Sequence, residues 1–515
     1  MVEYSTRDVI GAAASAAAVP TIRPSFARRP RDLSQAALNA ANQPVARAYS
    51  PIVLAGTIRI IEVSLIFITG LAVYFAYVYP DNGFHWYYPV AVGVISGLSV
   101  LAFQAADIYH VPAFRSPVGQ CVRLFPAWTV VFLLVTAFAF FGKFEGMYSR
   151  VWLGSYYVSG LLLLGTFRVG LSALIFSWTR KGRLERRAVV VGGGDAGESL
   201  VHSLGAQKNS DVKLVGLFDD RGEDRSPRDC GGLPKLGSVD DLVEFARRTR
   251  IDLVIFSLPI SAEGRILQML KKLWVLPVDI RLSAHSNQLR FRPRAYSYIG
   301  NLPVLDVFDK PITDWDVVMK WLFDKAAGSL MLLAASPLML FTAIAIMLDS
   351  RGPVLFKQKR YGFNNELIEV YKFRSMYVDQ CDATAAKLVT KSDPRVTKVG
   401  RFIRKTSLDE LPQLFNVVFR GNLSLVGPRP HAVHAKAQDR LYDEAVDGYF
   451  ARHRVKPGIT GWAQVNGWRG ETDTHEKIQR RVEHDLYYIE NWSVILDIYI
   501  LAKTPIALAK SENAY

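Results

Sequence analysis

Four apolar segments, near residues 52–79, 86–108, 122–142 and 151–178, constrain this 515-residue chain more than any other feature. Each is long enough to cross a lipid bilayer as a helix. Tyr77, Tyr79, Trp86, Tyr87, Tyr88 and Trp152 flank them, where interfacial anchors are expected. Hydrophobic residues make up 50% of the chain and mean hydropathy is positive, yet the net charge is +15. That pairing suits a membrane protein whose basic regions face anionic lipid. Nucleic acid is the other usual partner of a basic chain. With no zinc-ligand spacing and no RNA-binding aromatic motif, no nucleic acid partner is expected. Cys121, Cys230 and Cys381 are far apart and fit a reducing compartment rather than a disulfide framework.

Loop charge sets the expected orientation. Residues 1–50 are rich in Ala, Ser, Pro and Arg without helical periodicity, which predicts a disordered basic arm and no cleaved signal peptide. Arginines in this arm, Arg115 and Arg123, and the run Arg180, Lys181, Arg183, Arg186 and Arg187 predict a four-span bundle over 51–180 with both ends cytoplasmic. Arg168 lies within the fourth segment, where pairing inside the bundle or snorkelling accounts for it.

Residues 185–300 alternate strand and helix patterns. A strand ending at Val191 runs into Gly192-x-Gly194-x-x-Gly197, and Asp219 and Asp220 close the next strand. This is the context of a dinucleotide-type loop and predicts a doubly wound, Rossmann-like α/β domain. A bound nucleotide and a turn kept for helix–strand packing both explain the glycines. The Tyr499-x-x-x-Lys503 spacing lies some three hundred residues downstream in an apolar tail and gives this domain no catalytic partner.

A fifth apolar segment, Ala326 to Leu348, contains Ser336-Pro337, which predicts a kink because proline removes a backbone donor. Basic residues flank both sides (Lys310, Lys320, Lys325; Arg351, Lys357, Lys359, Arg360), which predicts a re-entrant helix over about 320–349. Asp314-Trp-Asp316 copies the metal-binding pair of nucleotide-sugar glycosyltransferases, but it precedes an apolar helix rather than ending a strand.

Downstream, Thr397 to Leu414 joins Arg401, Arg404 and Lys405 to two adjacent carboxylates, Asp409 and Glu410. Ser407 followed by Glu410, Leu411, Leu414 and Phe415 predicts a capping box opening an amphipathic helix. Cations ahead of paired carboxylates at a helix start suit a phosphate and a divalent metal; a capped surface helix explains the same pattern.

Around this stretch stand Gly352-Pro-Val-Leu-Phe-Lys-Gln-Lys-Arg-Tyr-Gly, Tyr371-Lys-Phe-Arg-Ser-Met, Leu425-Val-Gly-Pro-Arg-Pro and Lys456-Pro-Gly-Ile-Thr-Gly-Trp-Ala-Gln-Val-Asn-Gly. In order and spacing they resemble the bacterial sugar transferases, the monotopic polyprenol-phosphate phosphoglycosyl transferases, from about 315 to 515. The bundle and α/β domain ahead resemble the long-form members. The resemblance implies an α+β monotopic membrane catalytic domain on the cytoplasmic face of the bacterial inner membrane. It implies transfer of a hexose-1-phosphate from a UDP-sugar to undecaprenyl phosphate, with release of UMP, as the first step of a surface glycan. Asp409 is then the nucleophile, Asp409 and Glu410 the Mg²⁺ site, and Arg404 and Arg429 phosphate-binding residues. Lys372 and Arg374 become diphosphate or uridine contacts, and Ser336 and Pro337 the helix break. Gly470-Glu-Thr-Asp-Thr is similar to the glucose-specific branch, with galactose the alternative. A membrane scaffold without catalysis is the reading from a different class. A homodimer is compatible with this layout, although no sequence feature specifies one.

Overall fold

The computed structural model describes residues 33–46, 48–109, 111–114, 116–144, 146–207, 211–221, 229–258, 262–283, 297–299, 302–378, 393–430, 436–437, 440–441, 449–470 and 474–510. Among them, five helices are long and apolar enough to cross a membrane: Pro51–Asn82, Tyr87–Ala105, Val118–Phe141, Arg150–Arg180 and Asp314–Asp349. The first four fall where the apolar segments predict helices. Ser50, Ser116 and Ser149 start three of them, each hydroxyl accepting an N–H of the first turn.

Buried charges inside this bundle are paired around Arg168. Arg168 is fully buried, with Nε 2.6 Å from Glu62 Oε1 and Nη2 donating to Oε2 at 2.9 Å. Its Nη1 donates to Gln120 at 3.0 Å, and the Tyr109 hydroxyl donates to Glu62 at 2.7 Å. Pairing rather than snorkelling explains Arg168. Two expected interfacial anchors are core residues instead: Tyr88 and Trp152 are 3% and 1% exposed. Their polar tips bond inside the bundle, the Tyr88 hydroxyl accepting the Ser149 N–H and Trp152 Nε1 donating to the Gly70 carbonyl.

The α/β domain contains β1 (Arg186–Val191), β2 (Val212–Phe218), β3 (Asp229–Cys230), β4 (Leu233–Gly237), β5 (Leu253–Phe256), β6 (Asp279–Ser283), β7 (Ser297–Ile299) and β8 (Leu302–Phe308). They form one sheet in the order 3-4-2-1-5-6-8-7. β4, β2, β1, β5 and β6 run parallel, and the winding reverses beside β1, the doubly wound arrangement the glycine loop implied. Antiparallel pairing of β8 with β6 carries the sheet to Phe308, past the expected boundary at 300. The end of the basic arm also departs from expectation. Gln35–Ala41 is a helix capped by Ser34, and Leu33 and Ala37 are buried in the α/β core near Leu236 and Val239. This short helix is ordered by an apolar surface about two hundred residues away, and local periodicity carries no trace of such a partner. Residues 1–32 lie outside the described part.

The remaining chain packs against the helix Asp314–Asp349. It includes the hairpin β9 (Leu355–Tyr361) and β10 (Leu367–Phe373), the helix Lys398–Lys405, and the parallel pair Ser424–Val426 with Gly458–Thr460. Helices His475–Glu490 and Val494–Lys510 follow. Contrary to the expected break, Asp314–Asp349 is one uninterrupted helical segment with Pro337 inside it. Proline cannot donate to the carbonyl four residues back, that of Leu333. The Ser336 hydroxyl donates to it instead, at 2.8 Å, so the helix continues. Asp324, ten residues into this helix, and Asp349, its last residue, are held by the same domain. Asp324 accepts from the Ser424 hydroxyl and the Leu425 N–H, and Asp349 accepts from the Val399 N–H at 3.0 Å. Between these anchors Leu330, Leu333, Leu340 and Phe341 are exposed.

Candidate active site

The turn before the paired carboxylates is not a capping box. An N-cap needs an extended backbone, whereas Ser407 is left-handed (φ 58°, ψ 18°) and its side chain caps nothing. Its N–H bonds back to the Arg404 carbonyl, so Ser407 ends the helix Lys398–Lys405 rather than starting the next. The true cap is Thr397, which accepts from Gly400 N–H at 2.9 Å. Leu408–Glu410 then forms a single 3₁₀ turn, and a π-turn over Asn416–Arg420 follows. This tight geometry frees the Glu410 side chain from the backbone and presents it to two cations.

Those cations come from separate elements. Lys372 Nζ, on β10, lies 2.9 Å from Glu410 Oε1 and 4.0 Å from Asp409 Oδ2. Arg429 Nη2 donates to the same Glu410 oxygen. Asn416, fully buried, holds β10 in place: its side chain accepts from the Tyr371 N–H and donates to the Glu369 carbonyl. Arg429 is placed by close backbone packing between two motifs. A Cβ on Gly458 would stand 2.1 Å from the Gly427 nitrogen, so glycine alone lets the two strands meet there. Burial raises the Glu410 carboxyl, but Arg429 and Lys372 together outweigh it and hold Glu410 well below the usual carboxylate range. Asp409 goes the other way. Burial raises it above the usual aspartate value, Lys372 opposes this, and the charge of Glu410 adds to it. The two neighbours are thus driven apart, one firmly ionised and the other more basic. Arg404 is half-buried and acts on Asp409 through its charge.

A cavity of about 190 Å³ opens beside this cluster. It is lined by the polar residues Ser407, Glu410, Arg429, Thr460, Gln464 and Arg469 and by the apolar residues Met331, Leu414, Leu425, Leu501 and Leu508. Arg469 donates to the Ser407 hydroxyl at 2.7 Å. Neither Arg469 nor Asn416 was singled out from the sequence. Asn416 could have been, as one polar residue in the apolar run Leu414-Phe415-Asn416-Val417-Val418.

Other expected site residues fall elsewhere. Arg374 is buried and donates to the carbonyls of Ser350 and Arg351, where it satisfies the end of the long helix. The glycine loop lies in the α/β domain, away from the carboxylates. Gly192 and Gly194 have positive φ, and the Gly193 N–H donates to Asp219, which is also paired with Arg221. Asp314 starts the long helix and accepts from the Ser50 hydroxyl. The Gly470 to Thr474 motif lies partly outside the described residues, as does Cys381. Among the described residues no cluster of three metal-ligating His, Cys, Asp or Glu side chains occurs.

Charge-clamped carboxylates beside an apolar helix and an amphiphilic cleft place the protein among membrane-associated transferases. Residues 315–511 match the family described as bacterial sugar transferase, and residues 104–284 match a CoA-binding domain. The undecaprenyl-phosphate glucose phosphotransferase of Komagataeibacter xylinus is 42% identical over 65% of this chain, a match spanning 62% of that relative, under two thirds of its length. The UDP-glucose:undecaprenyl-phosphate glucose-1-phosphate transferase of Xanthomonas campestris pv. campestris is 34% identical over 83% of this chain and 88% of its own. The protein of that name from Klebsiella pneumoniae is 34% identical over 87% of this chain and 95% of its own. The chain belongs to the bacterial sugar transferase family.

Proposed function

We propose that this enzyme transfers glucose-1-phosphate from UDP-glucose to undecaprenyl phosphate, through a phosphosugar carried on Asp409. The names of its relatives support donor and acceptor. The observation that carries the reading is Asp409 set beside a Glu410 that is clamped by Lys372 and Arg429 and lines a cleft with many apolar residues. The Asp409 carboxylate attacks the sugar-linked phosphorus; a P–O bond forms to Asp409 and the P–O bond to UMP breaks. A phosphate oxygen of undecaprenyl phosphate then attacks the same phosphorus and Asp409 leaves. Two displacements let one site serve a soluble donor and a lipid acceptor in turn. Burial and a raised proton affinity make Asp409 the better nucleophile of the pair. Lys372, Arg404 and Arg429 offset the charge of the transferring group.

Mg²⁺ fits these residues. Lys372 and Arg429 both bind Oε1 of Glu410, so Oε2 and the Asp409 carboxylate supply oxygen donors of the kind Mg²⁺ shares with substrate phosphates. When bound there, it would add positive charge to the diphosphate.

The same reading sets the topology. Helices Pro51–Asn82, Tyr87–Ala105, Val118–Phe141 and Arg150–Arg180 cross the inner membrane with both ends cytoplasmic. A 36-residue helix is about 54 Å long if straight, well beyond a hydrocarbon core of about 30 Å. Asp324 within the helix and Asp349 at its end are both held by one polar domain, which supports a helix that bends at Pro337, dips into the cytoplasmic leaflet and returns.

The test uses labelled UDP-glucose and, in parallel, UDP-galactose with undecaprenyl phosphate and Mg²⁺. Label should enter lipid and UMP should appear with UDP-glucose, and Asp409→Asn should abolish both. UDP as the released nucleotide, or full activity in Asp409→Asn, would sink the mechanism. For topology, cysteines placed at Leu322 and at Arg351 should both react with a reagent confined to the cytoplasmic side; reaction of either from outside rules out the re-entrant helix.

A further inference from the structure

Arg429 carries one of the two charges on Glu410, and its own backbone is held by a buried guanidinium. Arg452, 1% exposed, donates from Nη2 to the Arg429 carbonyl at 2.7 Å and is anchored 2.6 Å from Asp485, itself 2% exposed. The next residue in the motif is held as well, the Pro430 carbonyl accepting from Arg360 on β9 at 3.2 Å. Arg452 belongs to the 3₁₀ segment Tyr449–Arg454, whose next residue, the buried His453, bonds Asn365 at the tip of the β9–β10 hairpin. Asn364 and Asn365 both take left-handed backbones there. Asn364 donates across to the Ala246 carbonyl, in the last turn of the helix Val239–Arg248 of the α/β domain, at 3.1 Å. Beside it the Arg247 guanidinium lies 5.4 Å from the centre of the Phe450 ring.

Two cations on one carboxylate oxygen must be placed within a few tenths of an ångström, because both bonds weaken steeply with distance and angle. Lys372 is carried by the hairpin and Arg429 by the loop that Arg452 grips. Hairpin tip and grip meet at a single junction, and the α/β domain closes that junction. We infer that Arg452 is a positioning residue for Arg429, and that the α/β domain sets this position through Asn364 and the segment Tyr449–Arg454. The inference rests on Arg429 being a phosphate-binding residue, as in the reaction above. It gives the α/β domain a part in the chemistry that needs no nucleotide in its glycine loop.

A substitution cycle on the full-length chain in lipid nanodiscs tests this, with inorganic pyrophosphate as the binding probe. Arg452→Lys keeps a cation for Asp485 but loses the planar guanidinium whose Nη2 meets both Asp485 and the Arg429 carbonyl. It should weaken pyrophosphate binding by about tenfold, the loss of one charge-assisted bond, and lower kcat in the same direction. In an Arg429→Ala background the same change should alter binding by less than about twofold, because Arg452 then has nothing to position. Asn364→Ala should repeat the pattern at smaller amplitude. Equal losses in both backgrounds, or none in either, would overturn the positioning role. A silent Asn364→Ala would overturn the link to the α/β domain. If the unaltered chain binds pyrophosphate and shows this coupling yet releases no UMP from UDP-glucose, the proposed reaction fails while the positioning stands. No pyrophosphate binding by the unaltered chain overturns both.

Discussion

The Ser336 hydroxyl donates at 2.8 Å to the carbonyl of Leu333, the group that Pro337 leaves without a backbone donor. A serine placed one residue before the proline thus repairs the defect from within the helix. Ser336→Ala should cost about 1 kcal/mol, the net worth of one hydrogen bond. Replacing Pro337 with Ala in that background should restore it, because alanine supplies the missing N–H. Thermal unfolding of the three variants in one detergent checks both statements.

Lys372 is the largest influence lowering the Asp409 proton affinity against its burial. In the proposed reaction the attacking carboxylate is ionised, so activity should fall as pH drops through a value raised above the ordinary aspartate. Lys372→Met removes the opposing charge and should move the acid limb of the kcat–pH profile to higher pH. At neutral pH kcat should drop by about two orders of magnitude, as when one cation at a developing charge is removed. An unmoved acid limb would detach Lys372 from Asp409.

Arg374 separates a structural cation from a substrate-binding one. Its donors are spent on the Ser350 and Arg351 carbonyls at the end of the long helix. Arg374→Ala should lower stability by about 2 kcal/mol through those lost charge-assisted bonds, with the KM for UDP-glucose unchanged. A raised KM at unchanged stability would return Arg374 to the substrate.

Arg469 lines the cleft together with the apolar Met331 and Leu508. A cation there suits the phosphate of an amphiphilic acceptor. Arg469→Ala should reduce kcat/KM for undecaprenyl phosphate by about tenfold, with a smaller change for UDP-glucose. Steady-state kinetics with each substrate varied in turn decides it.

Within the bundle, Arg168→Ala strands the Glu62 carboxylate at zero exposure. A loss of about 3–5 kcal/mol is expected for a broken buried pair. The double change Arg168→Met with Glu62→Leu should recover most of it, measured by unfolding temperature and by yield in membranes.

These cases mark where the sequence was readable. The family resemblance of the motifs assigned Asp409, Glu410, Arg429 and Lys372 to one site, and hydropathy located all five long helices. Strand and helix periodicity was enough for the β1–β2–β5–β6 alternation. What escaped depends on facts no local pattern carries. Ser407 matches a cap by composition, and only its left-handed backbone assigns it to the helix behind. Arg374 and Arg429 are both arginines in strong motifs, yet one faces a helix end and the other a carboxylate. Tyr88 and Trp152 sit at segment edges, where composition cannot tell a headgroup from a neighbouring helix.

The helix Gln35–Ala41 has a consequence for how the chain is made. Ser34 bonds Leu236, 202 positions later, and the Ala46 carbonyl accepts from Arg250. During synthesis from the N-terminus the first apolar helix therefore emerges while the segment ahead of it still lacks its docking surface. That segment must wait undocked until the α/β sheet is complete. Its late capture ties the first helix of the bundle to a domain translated after the fourth, and so registers that assembly has gone to completion.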